Sequence, residues 1–322
     1  MKAIQIQDKQ LVWADADPVV CGPGEVKIQV AATAINRADL IQAQGGYPPP
    51  PGASPVLGLE CAGEVLEVGE GVQRVSVGDR VCALLSGGGY AQQVVVPAGQ
   101  VLPIPVGLSM HEAAAIPEVF ATAYLNIYME AKLAVQEKVV VHAGASGVGT
   151  AAIQMLKGSH HPVFVTAGSA RKIAECVKLG AAAGFDRHAG SFLESARDWC
   201  GETGVDVVLD PVGGQYLADN LALLGLGGRL VLIGLMGGAE AQINLGMLMM
   251  KRLRIIGSTL RARPIAEKAA IMDELQRNIW PQFENGAIEP IIETILPIED
   301  AQKAHDLVAA NDTIGKVVLR ID

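Results

Sequence analysis

The string KVVVHAGASGVGTAAIQMLK, beginning at Lys138, constrains this chain more than any other stretch. Its three consecutive valines read as a strand buried on both faces, the glycines after them demand a turn, and TAAIQMLK has the composition of a helix. Such a strand–turn–helix unit aims free backbone N–H groups and the positive end of a helix dipole at whatever lies beyond the strand, which suits an anion. In the dinucleotide fingerprint the first glycine makes the turn, the second lets the backbone approach a pyrophosphate, and the third packs helix on strand. Gly144, Ser146 and Gly149 occupy those places here, with Ala145, Gly147 and Val148 between them. Ser146 departs from the strict form, so a pyrophosphate must ride higher over the turn or take the hydroxyl as a donor. The plain alternative is a close-packed turn that holds no ligand.

Context argues for the ligand. Five further buried runs follow, HPVFVTAGS, AAAGFDR, GVDVVLDPVGG, GRLVLIGLMGG and LRIIGST, joined by helix-period segments such as SARKIAECVKLG. Six apolar strands alternating with helices predict an α/β fold with a doubly wound parallel sheet of the Rossmann type. We place this domain at residues 121–262.

Residues 1–120 have a different texture. Short strand runs recur between Gly and Pro turns, as in GEVKIQVAATAI, GLECAGEVLEVG and YAQQVVVP, which predicts a β-rich module. The segment YPPPPGASP lacks too many N–H donors to enter a sheet and reads as a stiff surface loop. Beyond residue 262, Ile265, Ala269, Met272, Leu275, Ile279 and Phe283 at spacings of three and four predict one long amphipathic helix. The strand runs IIETILPI and KVVLRI follow, and residues 263–322, too short to fold alone, are expected to return to the first module.

Composition narrows the function. No apolar run approaches the roughly 20 residues of a bilayer span, and the amino terminus reads as a first strand, not a secretory signal; a soluble protein is expected. Five scattered cysteines, Cys21, Cys61, Cys82, Cys176 and Cys200, form neither a disulfide framework nor a zinc-ligand pattern, so a reducing, cytoplasmic setting follows. With 25 Lys+Arg against 34 Asp+Glu, the net charge is −9, and no basic cluster is present to meet a phosphate backbone; nucleic acid is not an expected partner.

Cofactor choice is read at the end of the second Rossmann strand, where an acid would bind the ribose hydroxyls of NAD. No Asp or Glu occurs between Glu137 and Glu175. The strand instead ends in Gly168, Ser169, Arg171 and Lys172, with Arg187 ending the third strand, and a small residue, a hydroxyl and cations suit a 2′-phosphate. NADPH is the expected cofactor. Arg171 and Lys172 also have an ordinary reading as first-turn residues of a solvated helix.

The strings AINRADL, YPPPPGASPVLGLECAGEV, GDRVCALLSGGGYAQ, AAAIPE, HAGASGVGTAAIQ, LGAAAGF, GLMGG and NxxIGKVVL together resemble the zinc-independent quinone oxidoreductase branch of the medium-chain dehydrogenase/reductase superfamily. Within it, they are especially similar to the p53-inducible quinone oxidoreductases of animals. The resemblance covers essentially the whole chain. It implies a twisted, GroES-like catalytic domain built from both chain ends, a Rossmann domain between them, an active-site cleft where the two meet, and a homodimer joined through the Rossmann sheets. It also implies transfer of reducing equivalents from NADPH to a quinone or another small electrophilic carbonyl compound, by hydride or by single electrons. Zinc-using relatives carry an early Cys, a His in a GHE string and a four-cysteine lobe. Here the GHE place reads Gly58, Leu59, Glu60, the early region reads INRAD, and the lobe is missing, so no metal is expected. Carried over by position, Asn36 and Tyr47 are implied to line the substrate site and to donate to a developing oxyanion, and Ser146 to act from the glycine turn. Gly234, Leu235 and Met236, with Leu260 and Arg261, are implied to contact nicotinamide and ribose mainly through backbone; Asn311 and Lys316 lie in a segment implied to close over the cofactor. An enone double-bond reductase and a non-catalytic NADPH-binding protein of the zeta-crystallin kind are the competing readings.

Overall fold

A computed structural model of the chain describes residues 1–322, and these divide into two compact units, residues 1–121 with 260–322, and residues 122–259. In the first unit the strands β1 (Lys2–Gln7) and β2 (Gln10–Asp15) form an antiparallel hairpin. The main sheet uses β3 (Glu25–Ala34), β4 (Glu60–Val68), β5 (Arg80–Leu84), β6 (Gln93–Pro97) and β7 (Val101–Pro103). Burial along β3 alternates over most of its length, as it must when one face of an antiparallel sheet lies on a core and the other faces outward. Val26, Ile28 and Val30 point into that core with Val65, Val81 and Val94. Three short helices interrupt the unit: α1 (Arg37–Ala43) after β3, then α2 (Met110–Ala113) and α3 (Pro117–Tyr124) before the crossing to the second unit. The proline-rich segment carries no strand, in keeping with its missing donors.

The second unit alternates strand and helix: β8 (Val139–Val141), α4 (Gly147–Gly158), β9 (Val163–Ala167), α5 (Ala170–Leu179), β10 (Ala183–Asp186), α6 (Leu193–Cys200), β11 (Val205–Asp210), α7 (Leu217–Leu223), β12 (Leu224–Leu232), α8 (Leu245–Met250) and β13 (Arg254–Gly257). The strands pair in parallel in the order β10-β9-β8-β11-β12-β13. Each of the six apolar runs is one of these strands. The order reverses between β8 and β11, the switch point outside which doubly wound sheets bind their ligands. Val140, Phe164, Val208 and Leu230 fill the interior.

The chain then returns. Helix α9 (Ile265–Asn278) and helix α10 (Trp280–Glu284) precede β14 (Ile292–Pro297), α11 (Ala301–Ala309) and β15 (Lys316–Arg320). Strand β15 lies between β14, in parallel, and β3, antiparallel, so the last residues join the sheet that the first residues began. The single long helix expected from Ile265 to Phe283 is broken at Ile279, whose φ is −113°. Pro281 explains the break, because it brings no N–H to the helix ladder and its ring collides with the preceding turn. Ile265, expected in the core, is 58% exposed, while Lys268 on the same helix is buried.

Candidate active site

In the second unit the glycine turn follows β8 as its composition requires. Ala143 sits in the left-handed region at φ 52°, and Gly144 hydrogen-bonds Thr166 O through its N–H at 2.9 Å. A Cβ at Gly149 would lie 2.4 Å from Gly144 O, and one at Gly144 would lie 2.8 Å from the Val165 Cβ, so both places admit only glycine. Ser146 caps α4, its Oγ accepting the Gly149 N–H at 3.1 Å. The hydroxyl proton is thereby left to point outward as a donor. Ala145 is buried behind the turn, whereas Ser146 is exposed, with Gly147 and Val148 half-buried beside it.

The ends of β9 and β10 meet beside this turn. A Cβ on Gly168 would lie 3.4 Å from Arg187 Nε, so the guanidinium lies against the Gly168 backbone, where a larger residue would crowd it. Ser169 caps α5, accepting the Lys172 N–H at 3.3 Å. Lys172 is buried, and so is not the solvated side chain that a first-turn lysine suggests. Asp186 is turned away into a local cap, its Oδ1 accepting the His188 N–H at 3.0 Å. Beyond β12 the loop through Gly234, Leu235 and Met236 is zipped to the loop after β11: Met236 N–H donates to Pro211 O at 3.2 Å and Gly237 N–H to Val212 O at 2.7 Å. Leu235 and Met236 consequently turn their side chains outward. The glycine turn, the helix start, the hydroxyls and the Arg187 guanidinium therefore gather at the carboxyl ends of β8, β9, β10 and β12, and they fit a dinucleotide.

The first unit buries a polar cluster. Lys316 donates to Ile35 O, Asn36 Oδ1 and Glu60 Oε1, each at 2.7 Å, and both charged side chains are almost completely enclosed. Glu60 also accepts Asn36 Nδ2 at 2.9 Å and, through Oε2, the Glu118 N–H at 2.9 Å. Asp39, also buried, accepts the N–H groups of Asn36 and Gly58, and the Tyr90 hydroxyl lies 3.2 Å from both Asp39 Oδ2 and His305 Nε2. Burial pushes the Asp39 carboxyl up to about 6 against the pull of these donors. Burial likewise holds His305 down to about 4, so it is neutral at physiological pH.

This geometry shows where the polar side chains of Asn36, Lys316 and Arg261 are engaged. The Asn36 amide spends its protons on Ala34 O and Glu60, and its oxygen on the Lys316 ammonium, so it does not offer a proton to an acceptor. All three Lys316 ammonium protons are used within the unit. Arg261 donates from Nε to Ser86 O at 2.9 Å, from Nη1 to Tyr47 O at 3.1 Å and from Nη2 to Gln42 Oε1 at 2.6 Å, and its carbonyl accepts from Ser86 and Lys268. Its work is to hold the Tyr47 loop, which it also covers with its guanidinium 5.4 Å from the ring centre. Leu260 beside it is buried. Asn311 takes a hydrogen bond from Arg37 in a left-handed turn, φ 56°. Tyr47 is the exception: held at φ 47° and 37% exposed, its hydroxyl has no partner in the protein.

Glu118 escaped the sequence reading. It lies in the first turn of α3, and its Oε2 is buried with no hydrogen-bond partner. Burial, followed by the neighbouring Glu60, pushes its carboxyl up to about 8. The available signal was an acid flanked by AAAIP and VFA, where an apolar setting makes any charge conspicuous. Cys61 and Cys82 are fully buried, with thiols pushed far up by burial, and no group of three or more His, Cys, Asp or Glu is placed to hold a metal ion.

A GroES-like sheet carrying a buried polar cluster, with a Rossmann unit inserted in the chain between its halves, is the architecture of the medium-chain dehydrogenases/reductases. Residues 22–106 match the alcohol dehydrogenase GroES-like domain and residues 147–277 the zinc-binding dehydrogenase family. The structure of the Thermus thermophilus quinone oxidoreductase, also solved with NADPH, aligns over 99% of this chain and all of that one, with 32% identity and a TM-score of 0.84. The rat quinone oxidoreductase is 29% identical over 99% of this chain and 97% of its own. A Mycobacterium tuberculosis mycocerosic acid synthase-like polyketide synthase is 31% identical over 97% of this chain, which spans only 15% of that protein's length. The chain belongs to the medium-chain dehydrogenase/reductase superfamily. No helix is long and apolar enough to cross a membrane.

Proposed function

We propose that this chain is a zinc-independent NADPH:quinone oxidoreductase of the cytoplasm. The observation that carries the cofactor choice is the end of β9, where Gly168 and Ser169 adjoin the Arg187 guanidinium and a neighbouring carboxylate, Asp186, is occupied in a local cap. A 2′-phosphate gains charge-assisted hydrogen bonds from such a rim, and NADH has nothing to place there. The N–H groups that open α4, with the Ser146 hydroxyl, receive the pyrophosphate. When bound, NADPH supplies a hydride. The protein orients the acceptor and excludes water, and the Tyr47 hydroxyl is the donor for the acceptor's oxygen, since a quinone already stabilises most of the incoming charge.

Zinc independence rests on the Glu60 environment: Leu59 replaces an imidazole, and the carboxylate beside it takes an ammonium, Lys316, as its counter-ion. We further propose a homodimer joined along the β13 edge, because Ile255 on that strand and Met249 and Met250 on α8 leave apolar side chains exposed beside unpaired strand N–H groups. Side-by-side assays of NADPH oxidation with ortho-quinones, para-quinones and enones test the activity. Saturable turnover highest with quinones supports it. Preference for enones assigns a double-bond reductase instead, and tight NADPH binding without turnover on any acceptor assigns a binding protein.

A further inference from the structure

We propose that His142 is a positioning residue for the dinucleotide: through one buried chain of hydrogen bonds it holds the glycine turn in register with the paired loops after β11 and β12. The inference rests on the dinucleotide reading of the second unit and deepens it, and every group in it belongs to that unit.

His142 follows the valines of β8, where a sheet covered on both faces leaves no solvent for an imidazole, and it is 1% exposed. A ring so enclosed needs partners for both nitrogens. Nδ1 lies 3.0 Å from the Thr166 hydroxyl on β9, and Nε2 lies 2.7 Å from Asn220 Oδ1 on α7. Asn220 Nδ2 donates to Asp210 Oδ2 at 2.9 Å, and Asp210 Oδ1 accepts the N–H groups of Val212 at 2.6 Å and Gly213 at 3.1 Å. The carboxylate fixes the sense of the whole chain. Because it only accepts, Asn220 turns its amide nitrogen to it and its oxygen to the ring; Nε2 then carries the ring proton, and bare Nδ1 accepts from the Thr166 hydroxyl. Burial holds the imidazole down to about 4, so it enters the chain neutral, with one proton for one acceptor. Thr166, Asn220 and Asp210 are buried with it, and the rings of Phe192 and Tyr216 pack against the imidazole, each centre 4.7 Å away. An apolar side chain could fill this place. A half-made polar chain could not, since each orphaned group loses its hydration without return.

The chain ends at two parts of the site that must agree. The glycine turn begins at the next residue, Ala143, and Thr166 O accepts the Gly144 N–H at 2.9 Å, so Thr166 grips the turn with its carbonyl and His142 with its hydroxyl. At the other end Asp210 sets Val212 and Gly213. Their loop carries the one after β12, through Gly237 N–H to Val212 O at 2.7 Å and Gly214 N–H to Gly238 O at 2.9 Å. The ladder between β8 and β11 closes with His142 N–H to Leu209 O at 3.1 Å, and beyond that rung the side chains make the connection across the point where the strand order reverses. A cofactor with its pyrophosphate on the turn and its remainder along the paired loops needs both at once. A protein that holds them in register for only part of the time binds with its affinity reduced by that fraction.

The test is titration calorimetry of NADPH with the wild type, Thr166→Val, Thr166→Ser, His142→Phe and Val205→Ala, together with melting temperatures and nitrogen NMR of the histidine rings. Thr166→Val removes the hydroxyl with little change of shape, and Thr166→Ser keeps it. Val205→Ala opens a cavity in the same core at the amino end of β11, away from the chain. Thr166→Val and His142→Phe should weaken NADPH binding roughly ten-fold, Thr166→Ser should stay within about two-fold, and Val205→Ala should lower the melting temperature at unchanged affinity. The wild-type spectrum should show a ring with Nε2 protonated and Nδ1 bare at neutral pH, absent in His142→Phe. Wild-type affinity in Thr166→Val and His142→Phe, or a loss that Val205→Ala matches at equal melting temperature, would overturn the positioning role and leave the dinucleotide reading standing. A folded wild type that binds neither NADPH nor NADH overturns that reading, and the proposal with it.

Discussion

Replacing Lys316 with methionine removes the ammonium from an ion pair that is sealed inside the first unit. The Lys316–Glu60 separation is 2.7 Å, and at an effective dielectric constant of about 20 the attraction is roughly 6 kcal/mol. Desolvating the two ions costs several kcal/mol each, so the pair as a whole adds little net stability. The asymmetry lies in breaking it. Lys316→Met leaves Glu60 buried with only the Asn36 amide and the Glu118 N–H as donors, and the expected loss is about 3–5 kcal/mol. Adding Glu60→Gln removes the stranded charge while keeping an oxygen for one of those two donors, and part of the loss should return. The assay is urea unfolding followed by tryptophan fluorescence in a Trp199→Phe background, so that Trp13 and Trp280 report the first unit. A single-variant loss below about 1 kcal/mol, or a double variant no better than the single, would refute the reasoning.

Glu118→Gln should also change stability with a definite sign. The folded carboxyl titrates at about 8 against an ordinary value of 4.5, so the native state holds its proton longer than the unfolded chain. Below 4.5 the substitution should have little effect, and between 4.5 and 8 the variant should gain on the wild type, by on the order of a few kcal/mol at the alkaline end, as urea titrations across pH would record. Gly149→Ala should abolish NADPH binding measured by fluorescence quenching and lower the melting temperature, since its Cβ has only 2.4 Å to Gly144 O; retained binding would contradict the turn geometry. Met249→Asp with Met250→Asp should shift the protein from dimer to monomer in light scattering, and a species unchanged in mass would remove the β13 edge as the interface.

How much of this is legible in sequence depends on the range of the physics involved. The glycine turn and the six strands are local patterns, and Gly144, Gly149 and the valines of β8 appear in the structure where composition puts them. The break at Ile279 is local too: Pro281 marks it, although the apolar spacing of a single helix continues across it. Burial of charge is different. Lys316 meets Asn36 across 280 positions, and no short-range pattern shows that a lysine in KVVL becomes the counter-ion of Glu60. The same reason hid Gln42, Ser86 and Lys268, which polarity assigns to the surface and packing draws inward. Asn36 lay at the right place in the chain, yet whether its amide is free or engaged is decided by the carboxylate and ammonium on two other strands.

The central claim is that the rim formed by the ends of β9 and β10 receives a phosphorylated ribose. Isothermal calorimetry of NADPH and NADH with the wild type and with Lys172→Ala/Arg187→Ala tests it most directly. The wild type should bind NADPH at least ten-fold more tightly, charge-assisted contacts to one phosphate being worth about 1.5–3 kcal/mol, and the double variant should lose that preference while NADH affinity stays within about two-fold. Equal wild-type affinity for the two cofactors, or a variant that weakens both alike, would contradict the account.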